Sequence, residues 1–379
     1  MFYWKTLPYS VYIMGSSVTK LRTKTLKPRL WLILTSHIIL SVGCGEDKGT
    51  NAEHWSPPDH SEVEINNLRG NLVGSMCMGC PLIIFDVSAG NHHQLTEVVG
   101  SNPSWSYDGE RLVYVSFNTR DPEYKPTIYT ANKNGMSITK IVENGGSPAL
   151  SSSGKHIAFI GYNDNATTKL VVMDMSTQAQ DLLSENARWP SWKPNGTQLA
   201  YTQINFGENG IDVSQLQSYV VDITNGKTEP LVRGLTPVWS PNGKKLAFIR
   251  TATTRIVEKK AQNEMGPGMG NGIDIYIANS NGVGEELLYQ SQQSIAALLF
   301  GLEAIHGWSQ DSQELLITVM NNRLSPGCGE VVDRQPAEYF VSTPACYKTS
   351  DAELHILDIE SGTTKMVSDR IVNPAWYSE

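Results

Sequence analysis

One short segment recurs along this 379-residue chain. Four copies are clear: Pro103-Ser-Trp105-Ser-Tyr-Asp-Gly109, Pro148-Ala-Leu150-Ser-Ser-Ser-Gly154, Pro190-Ser-Trp192-Lys-Pro-Asn-Gly196 and Pro237-Val-Trp239-Ser-Pro-Asn-Gly243. Two more are weaker, Gly307-Trp308-Ser-Gln-Asp311 and Pro374-Ala-Trp376-Tyr-Ser378. The Trp-equivalent positions are 105, 150, 192, 239, 308 and 376, spaced 45, 42, 47, 69 and 68 residues apart. A period of this length restricts the chain to architectures in which one small unit is repeated and each unit buries its neighbour's apolar face.

The first five copies are each followed by a short apolar run: Leu112–Val115, Ile157–Ile160, Leu199–Tyr201, Leu246–Ile249 and Leu315–Ile317. These runs have strand length and are apolar on both faces, as strands sandwiched between two sheets must be. A second run ends in Asp or Asn before a turn, as at Ile128–Asn132, Val171–Asp174, Tyr219–Asp222, Ile275–Asn279 and Ile356–Asp358. Asp-Gly and Asn-Gly inside the repeat are hairpin signals, because they tolerate positive φ. Each unit is therefore a four-stranded antiparallel sheet, and six units predict an all-β fold, a six-bladed β-propeller. The last copy stops one strand into its unit, and the missing strands appear early, at Asn71–Met76, Leu82–Asp86 and Gln94–Thr96. The sixth blade is expected to join three N-terminal strands to one C-terminal strand.

The unit best preserved at Pro237 to Phe248 resembles the repeat of TolB-type six-bladed propellers, which are similar to WD-repeat propellers. The resemblance covers about residues 68–379 and implies the propeller fold. It implies little about activity, because similar propellers serve as binding scaffolds, as accessory domains of peptidases and as lyases. The α/β amino-terminal domain of TolB has no counterpart here, so the resemblance is to the propeller and not to TolB itself.

The first 43 residues read as a lipoprotein-type signal peptide. A basic stretch, Lys20–Arg29, precedes an apolar one of thirteen residues, Leu30–Val42. Thirteen helical residues span about 20 Å, short of a bilayer core of roughly 30 Å. The stretch ends Leu40-Ser41-Val42-Gly43-Cys44, which resembles a bacterial lipobox with Ser41 as a departure, and makes Cys44 the expected lipid attachment site. An ordinary cleaved signal and an uncleaved anchor with an incidental cysteine are the alternatives, and Met14 is an alternative start to Met1. Residues 44–67 read as a tether. The chain is thus expected to be exported to a bacterial cell envelope, facing the periplasm or the exterior, where disulfides persist.

Charge narrows the partners. The chain has 30 basic and 38 acidic residues, and six of the basic ones precede Cys44 while none of the acidic ones does. The body is strongly acidic, which argues against nucleic acid and against membrane contact beyond a lipid anchor.

No catalytic motif stands out. There is no Gly-x-Ser-x-Gly elbow, no His-Glu-x-x-His and no EF-hand loop, so no catalytic residue, metal ligand or cofactor is expected. Gly266–Gly272 is glycine-rich but lacks the Gly-Lys-Ser/Thr ending of a phosphate loop. The repeated tryptophans read as packing residues between blades, and His92 and His93 as a solvated pair in a turn. Cys328 and Cys346 share one long insertion, 321–352, and Cys77 and Cys80 share a hairpin of the split blade. Each pair is a candidate disulfide; cross-pairing and a four-cysteine zinc site are the alternatives.

Strand order predicts a working face. In an up-and-down blade, the connection between strands two and three emerges beside the connection into the next blade. The long insertions 251–272, 289–305 and 321–352 all fall on that face. Residues just ahead of each inner strand should ring the channel mouth there: Asn102, Ser147, Arg188, Trp189, Arg233, Thr236, His306 and Asn373. Two arginines and a histidine could receive an acidic ligand or a peptide carboxylate. A solvated funnel is the bland alternative. The expected function is non-enzymatic, an envelope-anchored propeller presenting its long-loop face to an envelope protein or peptide. The alternative is a carbohydrate-active enzyme resembling oligogalacturonate lyases, with a metal at the channel mouth, for which His306 alone is well placed.

Overall fold

The computed structural model describes residues 64–75, 81–96, 99–117, 125–162, 168–204, 206–207, 210–211, 216–256, 271–294, 304–320 and 352–378. The expectations for the signal peptide, Cys44, residues 45–63, Cys77, Cys80, Cys328 and Cys346 lie outside them. Six four-stranded antiparallel sheets form the blades. In chain order the first five begin with the inner strands Val99–Trp105, Gly145–Leu150, Ala187–Trp192, Leu235–Trp239 and Ile305–Trp308. The sixth begins with Val372–Tyr377, which pairs with Asn71–Ser75, followed by Leu82–Asp86 and Asn91–Gln94. The expected joining of the two chain ends in one blade is present.

The double-sided apolar runs explain why the sheets stack. In the second strand of blade one, Leu112 and Tyr114 point into a core with Val73, Ile84 and Ala375 of blade six. Val113 and Val115 point the other way, packing with Ile157 and Phe159 of blade two. Alternation thus serves two neighbours at once, and a buried core lies at every junction around the ring. Directly opposite aromatic pairs add cross-strand packing inside three blades. Tyr114 with Tyr129, Tyr201 with Tyr219 and Phe248 with Tyr276 stack with centroids 5.9, 5.9 and 5.6 Å apart.

Each repeated tryptophan donates from Nε1 to a backbone carbonyl, in one of two patterns. Trp105, Trp192 and Trp308 reach the inner strand of the preceding blade, at Ala375, Ala149 and Val238. Trp239 and Trp376 bond within their own blades, to Ser280 and Arg69. The ring is therefore stitched in pairs, six with one, two with three and four with five.

Three boundaries differ from expectation. The strands of blade four run to Ile256 and resume at Asn271, and its outer strand reaches Ser294, so its long connections are 257–270 and 295–304. His92 and His93 stand in the strand Asn91–Gln94 and not in a turn. The pleat continues through them because both backbones pair with Phe85 and Ile84. Contact with the propeller begins slightly before residue 68: Asn66 N–H bonds the Val367 carbonyl at 2.9 Å, and Asn67 Nδ2 the Met366 carbonyl at 3.0 Å.

Candidate functional site: the central channel

The inner strands share an irregularity that shapes the channel. The register with the second strand slips between Ser101 and Ser104, Gly146 and Ala149, Arg188 and Ser191, and Leu235 and Val238. At each slip the residue before proline takes a left-handed conformation: Asn102 (φ 46°), Ser147 (46°), Trp189 (52°) and Thr236 (47°). Positive φ is unfavourable for any side chain with a Cβ, and most so for branched Thr236 and bulky Trp189. A bulge that recurs at one level of the ring re-aims equivalent residues together.

A cavity of about 280 Å³ lies among these strands. Its wall includes Asn102, Ser147, Trp189, Thr236 and His306, five of the eight residues expected at the mouth. Arg188 and Arg233 are absent from the wall among the described residues. Arg188 pairs in register with Thr202 ahead of the slip, and Arg233 is exposed in the link between blades, its carbonyl accepting from Arg250 Nε at 2.9 Å. Asn373 belongs to the inner strand of blade six, and its side chain lies outside the described residues.

His306 does not bring a positive charge to the mouth. Burial pushes its pKa down to about 3, outweighing the Pro374 carbonyl, which favours protonation. Its Nε2 is 2.6 Å from Thr318 Oγ1, while Nδ1 is buried without a hydrogen-bond partner among the described residues. Thr236 Oγ1 is likewise buried and unpartnered. Two wall residues in the bulges of adjacent blades thus hold unspent hydrogen-bonding capacity. No group of three or more His, Cys, Asp or Glu side chains is arranged for a metal among the described residues.

At the opposite, short-turn end, Tyr107 of blade one donates its hydroxyl to the Pro241 carbonyl of blade four at 3.2 Å. Those blades face each other across the ring, so the phenol spans the channel. Lys193 and Pro194 of blade three also line this end. The tryptophans have two roles, since Trp105, Trp192 and Trp239 both make their carbonyl bonds and form part of the wall. Neither Tyr107 nor Lys193 is singled out by motif reasoning. Lys193 had a signal nonetheless, because it replaces the serine that follows the Trp-equivalent position in four other repeats.

No protein-family model matches the chain. It is 29% identical over 206 residues to the Tol-Pal system protein TolB of Francisella tularensis subsp. tularensis (strain WY96-3418), covering 50% of this chain and 46% of that protein. The corresponding protein of Francisella tularensis subsp. holarctica (strain OSU18) is 28% identical over the same length. The chain spans about half the length of the curated relatives it matches. The crystal structure of TolB from Acinetobacter baumannii superposes with a TM-score of 0.54 at 17% identity, covering 82% of this chain and 67% of that one. The fold is that of a TolB-like six-bladed β-propeller, and the chain is similar to TolB without matching it over its whole length.

Proposed function

We propose that the chain is a non-enzymatic propeller of the bacterial cell envelope, lipid-anchored through Cys44, that binds an envelope protein or peptide on its long-connection face. In this reading residues 1–43 are a lipoprotein signal, 44–67 a tether and 68–379 the binding body. One observation carries the binding site: Thr236 Oγ1 and His306 Nδ1, from the bulges of neighbouring blades, are buried without hydrogen-bond partners among the described residues, in residues that wall the same cavity. A peptide backbone supplies both donors and acceptors for such groups. The strained bulges at Asn102, Ser147, Trp189 and Thr236 fit a surface preorganised for a ligand. The similarity to a protein named for the Tol-Pal system supports an envelope setting.

The experiment is capture of partners from a bacterial envelope extract by the purified body, by Thr236→Val/His306→Leu, and by a form with residues 321–351 replaced by a short turn. The intact body is expected to retain a specific protein that both altered forms lose. Equal capture by all three would refute the assignment of the face.

A further inference from the structure

In four blades, the residue after the Trp-equivalent position is a buried serine that closes its own turn. Ser106 Oγ donates to Asp108 Oδ1 at 2.6 Å and accepts from Arg111 N–H at 2.9 Å. Ser240 and Ser309 do the same with Asn242 and Lys245, and with Asp311 and Glu314. Ser151 accepts from His156 N–H at 3.1 Å. Blade three has Lys193 at this position. Its turn survives because Asn195 Oδ1 accepts from Thr197 and Gln198 N–H at 3.1 and 3.2 Å, and the backbone of Lys193 keeps its bond to the Gln198 carbonyl at 2.8 Å. The lysine side chain is released from the turn. Its ammonium lies 5.6 Å from the Trp239 ring centroid, where it borders the cavity.

The surroundings favour an anion. No Asp or Glu lines the cavity among the described residues, although the protein is acidic overall. Lys193 makes no ion pair among them either. This position abandons the turn for a cation–π contact with Trp239 at the cavity wall, and a departure from the repeat at such a place points to function. Tyr107, held across the channel by Pro241, lines the same cavity as this cation. From Trp189 to Lys193 is four residue steps, at most about 13 Å on the rise of a strand, so this length of channel takes no more than three or four residues of extended chain.

We propose that Lys193 forms an anion subsite at the short-turn end of the channel, and that it takes the terminal carboxylate of a peptide entering from the long-connection face. This rests on the proposed peptide-binding function and adds the chemistry of the chain end. Tyr107 stops the chain, so the subsite selects an end over an internal segment.

The test uses the full mature chain, Lys193→Ser, which restores the residue of the other repeats, and Lys193→Gln as a second variant. Iodide and neutral acrylamide quench the tryptophans that line the cavity. The iodide constant should fall about twofold in both variants while the acrylamide constant holds. N-acetyl-trialanine as the free acid should bind by calorimetry and lose at least tenfold in affinity in both variants, whereas its carboxamide should not bind. Iodide quenching unchanged in both variants, or equal binding of acid and amide, overturns the subsite. Acetate binding as tightly as the peptide acid overturns the chain-end assignment in favour of small free acids. Envelope capture through residues 321–351 reads the other end of the channel, so its failure beside a positive titration counts against the proposed function and not against Lys193.

Discussion

Trp105 Nε1 donates to the carbonyl of Ala375 at 3.1 Å, across a separation of 270 residues. The bond joins the first blade to the last strand of the chain, where the ring closes. Beside it, Gly109 in the turn of blade one abuts the ring of Tyr377 and has a φ of 68°, so a side chain there would both clash and strain.

Closure should therefore depend on this contact. Trp105→Phe leaves the Ala375 carbonyl unpaired and is expected to destabilise by about 1–3 kcal/mol in urea unfolding. Deleting residues 373–379 exposes a strand edge on Asn71–Ser75 and should abolish cooperative unfolding or cause aggregation. A truncated protein melting within a few degrees of the intact one would show that the terminal strand is dispensable.

The insertion in blade five should be separable from the fold. Its flanking strands pair in continuous register from Glu314↔Asp358 to Met320↔Ala352. A short glycine-containing turn in place of residues 321–351 should preserve the far-ultraviolet spectrum and the melting temperature to within a few degrees, while partner capture is lost. Peptide mapping of unreduced protein is expected to find Cys328 joined to Cys346; both free would remove the cross-link.

Acid should act on His306 before it acts on the turn aspartates. The folded pKa of about 3 lies below the unfolded value near 6.5. The unfolded chain takes the proton first, so stability falls as pH drops from about 6.5, and the loss levels off near 3. Asp174, Asp222 and Asp358 are held below the usual carboxylate range by hydrogen bonds from their own turns. Their contribution is present above about 4 and disappears only as pH falls further. His306→Gln should flatten the melting-temperature profile between pH 6.5 and 4. Parallel profiles for the two proteins would exclude a buried neutral imidazole.

The anchor is tested in cells. Wild-type protein should incorporate labelled fatty acid and fractionate with membranes, and Cys44→Ser should do neither. Absence of label in the wild type would leave an ordinary signal or an uncleaved anchor.

The repeat, its period and the incomplete copies at the two ends are one-dimensional facts, and they sufficed to determine blade number, strand order and ring closure. The reason is that a propeller blade is a local structure: Leu112–Val115 alternates its side chains between two neighbours whatever the ring's detailed shape. The shared left-handed conformation of Asn102, Ser147, Trp189 and Thr236 has the same origin, since they occupy one position of the repeat. The wall itself depended on tertiary structure. A one-residue bulge turns Trp189 into the cavity and leaves Arg188 out of it, and strand alternation alone cannot reveal that slip. Burial also decided the state of His306, because desolvation pushes its pKa down and outweighs the opposing Pro374 carbonyl, and neither can be read from the residue's place in the repeat. The span from Tyr107 to Pro241 likewise exists only once opposite blades face each other. Periodicity encodes what each blade does to the next, while the chemistry of the channel arises where the blades converge, and only three-dimensional packing brings those residues together.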